Sequence, residues 1–334
     1  MTDPAAAAPA FVTGASGFLG RHLLRRLLGQ GRQVTALCRD PHALADLADP
    51  RLRVVAGTLE DPGGWCGHLS RQATVFHLAA LRHAVGVDPA RLRRVNLAGT
   101  LALADLAVRA QVPRFVYLST ASVFGPASGP PADETRPPRV RDAATDYLRS
   151  RGEAFEAMGA LGSRGLPLIT VCPTIVFGPD HPDHPNRITE QIRSVLRSRL
   201  DLVVEGGNRV RDLVYVEDAI RGILLAEERG RPGEAYILGG AEITHRELNA
   251  RVLALAGATP RLRLSVPAPA AALAAGAADA LFGHADGCGH AAALRVLGLD
   301  WRFSTGKAGR ELGYASRPLT DGLCRTLESL RPRG

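Results

Sequence analysis

Lysine is almost missing from this chain: of the 41 Lys+Arg residues, only Lys307 is lysine. The sequence is otherwise rich in Ala, Gly, Pro and Arg, which points to a coding bias. An arginine where another protein would carry lysine is therefore no functional sign by itself. Cysteine is scarce too. The five (Cys38, Cys66, Cys172, Cys288 and Cys324) are scattered, odd in number and without CxxC spacing. That excludes a disulfide framework and fits free thiols in a cytoplasmic protein. Long apolar runs are absent, which excludes a membrane span. The opening "MTDPAAAAPA" lacks a basic n-region and is expected to be a short disordered tail, neither signal peptide nor anchor. Basic residues form no run and no pattern with aromatics. The net charge of +8 therefore does not make the chain a nucleic-acid binder. Without GxSxG or GK[ST], serine hydrolysis and phosphoryl transfer have no support.

What is present is a rhythm. Phe11–Thr13 is a short apolar run. After it, Leu19, Leu23, Leu24, Leu27 and Leu28 recur at helical spacing, and Val34–Cys38 is a second apolar run. "RLRVVAG", "ATVFHLAA", "RFVYLST" and "LPLITVCPTIVFGP" continue the strands, with a helix expected over residues 88–110. Strands alternating with helices predict an α/β fold with a doubly wound parallel sheet. The rhythm loosens near Asp180. This divides the chain into a nucleotide-binding domain over 1–180 and a smaller, mostly helical substrate region over 181–334, some of whose segments return to the first. "THRE" has the capping-box pattern, with Thr244 and Glu247. "VPAPAAALAAGAADALFG" reads as an Ala-rich helix of the substrate region. The histidines of "DHPDHPN" (His181, His184) and "GHADGCGH" (His284, His290) read as loop residues, so no metal site is expected.

"TGASGFLG" places Gly14, Gly17 and Gly20 between the first strand and its helix. Glycines there let the backbone turn and approach a pyrophosphate, which the free N–H groups of the helix start then hold. Gly14, Ser16, Gly17, Phe18, Leu19 and Gly20 are the expected loop contacts. At the end of the second strand an acid would take the ribose diol of NAD, whereas an arginine suits a 2′-phosphate. Arg39 stands there, with Asp40 one step into the loop. The charge match favours NADP(H) over NAD(H).

In "TDYLRSRGE", Tyr147 and Arg151 are four residues apart and share one helix face. The order TGxxGxxG, "STASVFG", "YLRSR", "CPTIVFGP", "RVRDLVYVEDA" resembles the extended short-chain dehydrogenase/reductase superfamily over nearly the whole chain. "CRDP" and "YILGG" are most similar to its dihydroflavonol reductase and 3β-hydroxysteroid dehydrogenase-like branch. The resemblance implies that Tyr147 is the general acid/base. It makes Thr120 the hydroxyl that orients a carbonyl, with Ser122 a second candidate. Arg151 takes the place of the family's lysine at the nicotinamide ribose. It further implies that Leu78, Ala79 and Ala80 of "HLAA", and Pro173, Ile175 and Val176, lie along the cofactor. Thr58 and Leu59 would lie near the adenine, Thr58 where the family usually has aspartate. His83, Val85, Phe124, Thr174, Phe177 and Arg211 are the implied substrate pocket, and a homodimer the implied assembly.

Arg151 supplies the charge that lysine would: a unit charge ~5 Å away at an effective dielectric of ~20 favours tyrosinate by roughly 3 kcal/mol. Its planar fork differs in shape, so the exchange is not conservative. Three functions follow. The first is an NADP(H)-dependent oxidoreductase acting on a small or apolar ketone. The second is a sugar-nucleotide epimerase or dehydratase retaining its cofactor. The third is a cofactor-binding protein whose catalysis Arg151 has disabled.

Overall fold

The computed structural model describes residues 8–82, 86–181, 185–283 and 289–331. The first half runs β1 (Ala10–Thr13), α1 (Phe18–Gly29), β2 (Val34–Cys38), β3 (Leu52–Ala56), β4 (Thr74–His77), α2 (Pro89–Arg93), α3 (Thr100–Arg109), β5 (Arg114–Leu118), α4 (Asp146–Gly162) and β6 (Leu168–Pro173). Then come β7 (Ile175–Phe177), α5 (Arg187–Ser198), β8 (Leu200–Val204), β9 (Val210–Tyr215), α6 (Val216–Arg229), β10 (Ala235–Leu238), β11 (Ala241–Thr244) and α7 (His245–Leu255). The chain closes with β12 (Leu262–Val266), α8 (Ala268–Phe282), α9 (His290–Leu297), α10 (Gly306–Leu312) and α11 (Leu319–Ser329).

Seven strands form one parallel sheet in the order β10-β6-β5-β4-β1-β2-β3. Order reverses between β1 and β4, the crevice where such sheets bind ligands. The apolar residues found by periodicity cover both faces. On one, Leu23, Leu24 and Leu27 of α1 meet Ile220 and Ile223 of α6. On the other, Leu103 and Ala107 of α3 meet Ala154 and Met158 of α4 over Phe11 and Phe115. β10, from beyond residue 180, pairs in parallel with β6 at the edge of the main sheet. Smaller sheets, β11-β9-β7 and β12-β8, sit beyond it.

Local chemistry fixes the helix starts around the crevice. Thr145 caps α4, accepting from Leu148 N at 3.1 Å, and so sets where Tyr147 and Arg151 begin their turn. Asn186 caps α5, and Thr244 and Glu247 form the expected capping box on α7. The helix expected over 88–110 is interrupted by a π turn over Arg94–Gly99 between α2 and α3. No helix among the described residues is long and apolar enough to cross a membrane.

Candidate active site

A cavity of about 1100 Å³ opens at the carboxyl ends of the strands. At one end lies the turn from β1 to α1. Gly14 has φ +69°, and a Cβ on it would sit 2.6 Å from Ala79 N. A Cβ on Gly20 would meet Gly14 O at 2.1 Å. α1 begins without a side-chain cap, so its first N–H groups stay open to an anion. Ser16, Gly17, Phe18 and Leu19 line the same end, with Leu78, Ala79 and Ala80 opposite.

Arg39 is exposed at the rim beyond β2. Asp40 does not compete for a ribose: its carboxylate caps the turn Pro41–Leu44, accepting from His42 N at 2.9 Å. Thr58 accepts from Asp61 N at 3.2 Å, and its carbonyl accepts from Trp65 Nε1 at 2.7 Å. Thr58 and Leu59 therefore form a fixed edge of the cavity.

Thr120, Ser122, Tyr147 and Arg151 meet in the middle of the cavity, beside Pro173, Thr174, Ile175 and Val176. Thr120 Oγ1 accepts from Ser122 N at 3.3 Å, which leaves its own proton free to donate. Arg151 is 2% exposed. Its Nη2 donates to Leu118 O, and its guanidinium carbon stands 5.2 Å above the Tyr117 ring. Nε and Nη1 are buried without a hydrogen-bond partner. A buried donor left unpaired costs about 1–3 kcal/mol, so a guanidinium edge left this way calls for an acceptor. The hydroxyls of a bound ribose are such acceptors. Together with the glycine cradle, these orphaned donors show that the residues fit a dinucleotide.

Beneath Tyr117 lies a buried polar chain. Thr100 Oγ1 donates to Asn96 O at 2.8 Å, so it accepts from His77 Nε2 at 2.8 Å. His77 Nδ1 then accepts from Thr13 Oγ1 at 2.7 Å. Burial first, and the nearby Arg151 charge second, push His77 down to about 3. The sign follows: the native state keeps His77 neutral while the unfolded chain protonates it below 6.5. Stability is lost as pH falls from there toward the folded value, by about 2 kcal/mol for this residue between pH 6.5 and 5. Urea titrations at pH 7 and 5 should show that slope in the wild type, and a slope shallower by that amount in His77→Gln.

The far end of the cavity has two characters. Arg211 is 9% exposed and has no carboxylate partner among the described residues. Its Nη2 donates to His245 Nδ1 at 3.4 Å. Burial, then the Arg187 charge, lower Arg211 to about 10, and burial, then Arg211, lower His245 to about 4. Asn186, and Arg187, Glu190, Gln191 and Ser194 of α5, line the cavity with polar groups, while one stretch of the wall is apolar: Val95, Ala293, Val296, Leu297, Trp301 and Phe303. Trp301 Nε1 donates to Val296 O at 2.9 Å, so no unpaired indole N–H roughens it.

Two expected pocket residues are corrected. Phe124 and Phe177 are each 1% exposed and belong to the core. The turn Ala121–Phe124 aims Ser122 at the cavity and drives Phe124 edge-on against Phe155, 5.4 Å away. Phe177 packs on Tyr215 at 5.7 Å and beside Gly322 of α11. Thr174 lines the cavity, but its hydroxyl donates to the buried Asp212 at 2.8 Å. Burial raises Asp212 to about 6. His83 and Val85 lie outside the described residues, as do His184 and His284. Among the described residues no three His, Cys, Asp or Glu are grouped to hold a metal.

Sequence reasoning missed Asn96. Its amide donates to Leu81 O and Ser150 Oγ, both at 3.0 Å, and its carbonyl accepts from Leu81 N at 2.7 Å. Ser150 in turn donates to Tyr147 O at 2.8 Å, so Asn96 fixes the first turn of α4. Arg187, His245 and the 293–303 wall were also missed. The polar break in "VNLAGT" was the one available signal for Asn96.

The description "NAD dependent epimerase/dehydratase family" matches residues 10–239. The chain is 31% identical over 315 residues to the 4-hydroxy-2-methyl-3-oxo-4-farnesyl-3,4-dihydroquinoline-1-oxide ketoreductase of Stigmatella aurantiaca, covering 92% of each. It is 31% identical over 320 residues to the 3β-hydroxysteroid dehydrogenase/Δ5→4-isomerase of Mycobacterium tuberculosis, covering 91% of this chain and 85% of that one. Among solved structures, the dTDP-glucose 4,6-dehydratase DesIV of Streptomyces venezuelae, with NAD and TYD bound, superimposes with TM-score 0.78 at 28% identity over 96% of each chain. The motif order, the doubly wound sheet and the matched family thus agree: the chain belongs to the NAD-dependent epimerase/dehydratase family of extended short-chain dehydrogenases/reductases, with relatives in the 3β-hydroxysteroid dehydrogenase-like branch.

Proposed function

We propose that the protein is a cytoplasmic NADP(H)-dependent ketoreductase that reduces an apolar ketone to a secondary alcohol. One observation carries the reading: Tyr147, Thr120, Ser122 and Arg151 converge between a dinucleotide cradle and an apolar wall. The glycine cradle would hold the pyrophosphate of a dinucleotide and Arg151 its nicotinamide ribose, and the bound cofactor would supply the hydride. The chain supplies the rest. Thr120 donates to the substrate carbonyl oxygen and fixes its direction. Tyr147 gives that oxygen its proton as negative charge develops on it. Arg151 stabilises the tyrosinate left behind and holds the ribose through Nε and Nη1. The apolar wall takes a hydrocarbon substituent, in keeping with the farnesylated ketone named for the Stigmatella relative.

Initial rates of NADPH oxidation on a panel of ketones, from short methyl ketones to prenylated and acyl ones, test the proposal. Turnover rising with apolar bulk supports it. No turnover on any carbonyl removes it. The cofactor preference has its own test. Arg39→Ala should weaken NADPH about 10- to 100-fold, the worth of a charge-assisted hydrogen bond, and leave NADH unchanged. Fluorescence titration with both nucleotides measures this.

Arg211 favours a second reading. A buried guanidinium without a counter-ion suits an anionic substrate group, such as the diphosphate of a sugar nucleotide. An epimerase or dehydratase of that kind would keep NAD(P)+ through purification. Freely exchanging NADPH would exclude it.

A further inference from the structure

Two apolar surfaces of the C-terminal part are left uncovered. β8 and β12 pair in parallel, Leu262 beside Leu200 and Leu264 beside Leu202. Alternate residues of a strand share a face, so the four leucines make one outward patch. Their exposures are 41%, 53%, 49% and 46% for Leu200, Leu202, Leu262 and Leu264. Asp201, between the first two, is buried on the other face and accepts from Asn249 Nδ2. An arginine precedes each strand's leucines, and the two are joined by Arg261 N donating to Arg199 O at 2.8 Å. After Pro267 the chain enters α8, none of whose residues is buried. Leu273 and Leu281 there are 77% and 79% exposed. The charged residue of α8, Asp279, turns to the start of α9 and accepts from His290 N and Ala291 N. The Ala-rich helix expected in the substrate region is α8, and it leaves Leu273 and Leu281 outward.

Unpaired charge around these surfaces is mainly positive. Residues 193–204 and 256–283 hold five arginines against Asp201 and Asp279, both turned inward; Arg193 pairs with Asp180 at 2.8 Å and Arg263 with Asp201 at 3.9 Å, which leaves Arg197, Arg199 and Arg261. Glu190 in the first turn of α5 and Glu205 at the far end of β8 are the nearest acids in sequence on either side of residues 193–204. Arg197, Arg199 and Arg261 have no ion-pair partner among the described residues. Exposed leucines clustered in register, rather than scattered, mark an interaction surface.

We propose that this face rests on an anionic lipid bilayer, with the leucines at the headgroup–acyl boundary and the arginines on the lipid phosphates. A second copy of the chain suits the face less well, because pairing two such surfaces would bring their arginines together. The position of the face adds a consequence. α8 packs on α9, and Ala293, Val296 and Leu297 of α9 line the apolar end of the cavity. A docked bilayer would lie beside the entry for an apolar substrate. The proposal does not depend on which reaction the site performs.

Flotation of the full chain with phosphatidylcholine vesicles, with and without phosphatidylglycerol, tests it. The wild type should float with the anionic vesicles, and added salt should release it. Replacing all four leucines (Leu200→Gln, Leu202→Gln, Leu262→Gln and Leu264→Gln) should lower the partition coefficient about tenfold or more. Arg199→Glu with Arg261→Glu should do the same. NADPH binding, unchanged in both variants, shows that they are folded. The proposal is overturned if the wild type stays with the soluble fraction, or if the variants float equally well. It is also overturned if the leucine variant halves the mass in solution, which would make a second copy the occupant.

Discussion

Tyr147→Phe should lower kcat about 1000-fold, within the range that a positioned general acid contributes, and leave NADPH affinity unchanged. The phenol has no hydrogen-bond partner among the described residues, so its loss removes no structural contact. Its position is held from below: Asn96 binds Ser150, and Ser150 donates to Tyr147 O. The ring should therefore stay where it is in the variant, and only the transferable proton disappears. Without it the alkoxide that forms on hydride addition would have only the hydroxyls of Thr120 and Ser122 as donors, far weaker acids than a phenol. Single-turnover reduction with bound NADPH separates the two effects, since binding and hydride transfer are read apart. A kcat within a few-fold of the wild type would mean that the proton comes from elsewhere and that the assignment of Tyr147 is wrong.

The parts of this site that a reader of the sequence can find are those built by short stretches of chain. The cradle is one β-turn-α unit, so Gly14, Gly17 and Gly20 announce it. Tyr147 and Arg151 share a helix turn, and their spacing alone places them together. Thr244 and Glu247 cap α7 through contacts three residues apart. What is hidden is set by distance along the chain. Trp301 reaches the cavity through a bridge to Arg211, some ninety residues away. β10 enters the main sheet beside β6 across two helices and three strands of the smaller sheets. Phe124 misleads for a different reason. It sits in a motif whose neighbours Thr120 and Ser122 do face the cavity, but a tight turn changes direction within two residues and sends the ring into the core. Apolar residues inside a catalytic motif carry packing as often as recognition, and only the backbone path distinguishes the two.

Arg151→Met should lower kcat/KM about 100-fold and also cost stability, whereas Arg151→Lys should recover much of the rate and little of the stability. The guanidinium has three uses. Its charge would stabilise the anion that forms on Tyr147 as the proton leaves, and an ammonium would supply this as well. Its Nε and Nη1, buried without a hydrogen-bond partner, would on the proposed reading donate to a bound ribose, which an ammonium on a shorter arm would do in part. Its third use is structural: Nη2 satisfies Leu118 O while the plane covers Tyr117. A lysine cannot reach the carbonyl, cover the ring and face the cofactor at once. Losing a charge-assisted bond to a buried carbonyl costs about 1.5–3 kcal/mol, so thermal unfolding should shift down in both variants. This pattern distinguishes an arginine that the site has absorbed from one that has disabled it. An absorbed arginine gives an active wild type, a lysine variant of similar rate but lower melting temperature, and a crippled Met variant. A disabling one gives the reverse order, with turnover appearing only when lysine is restored.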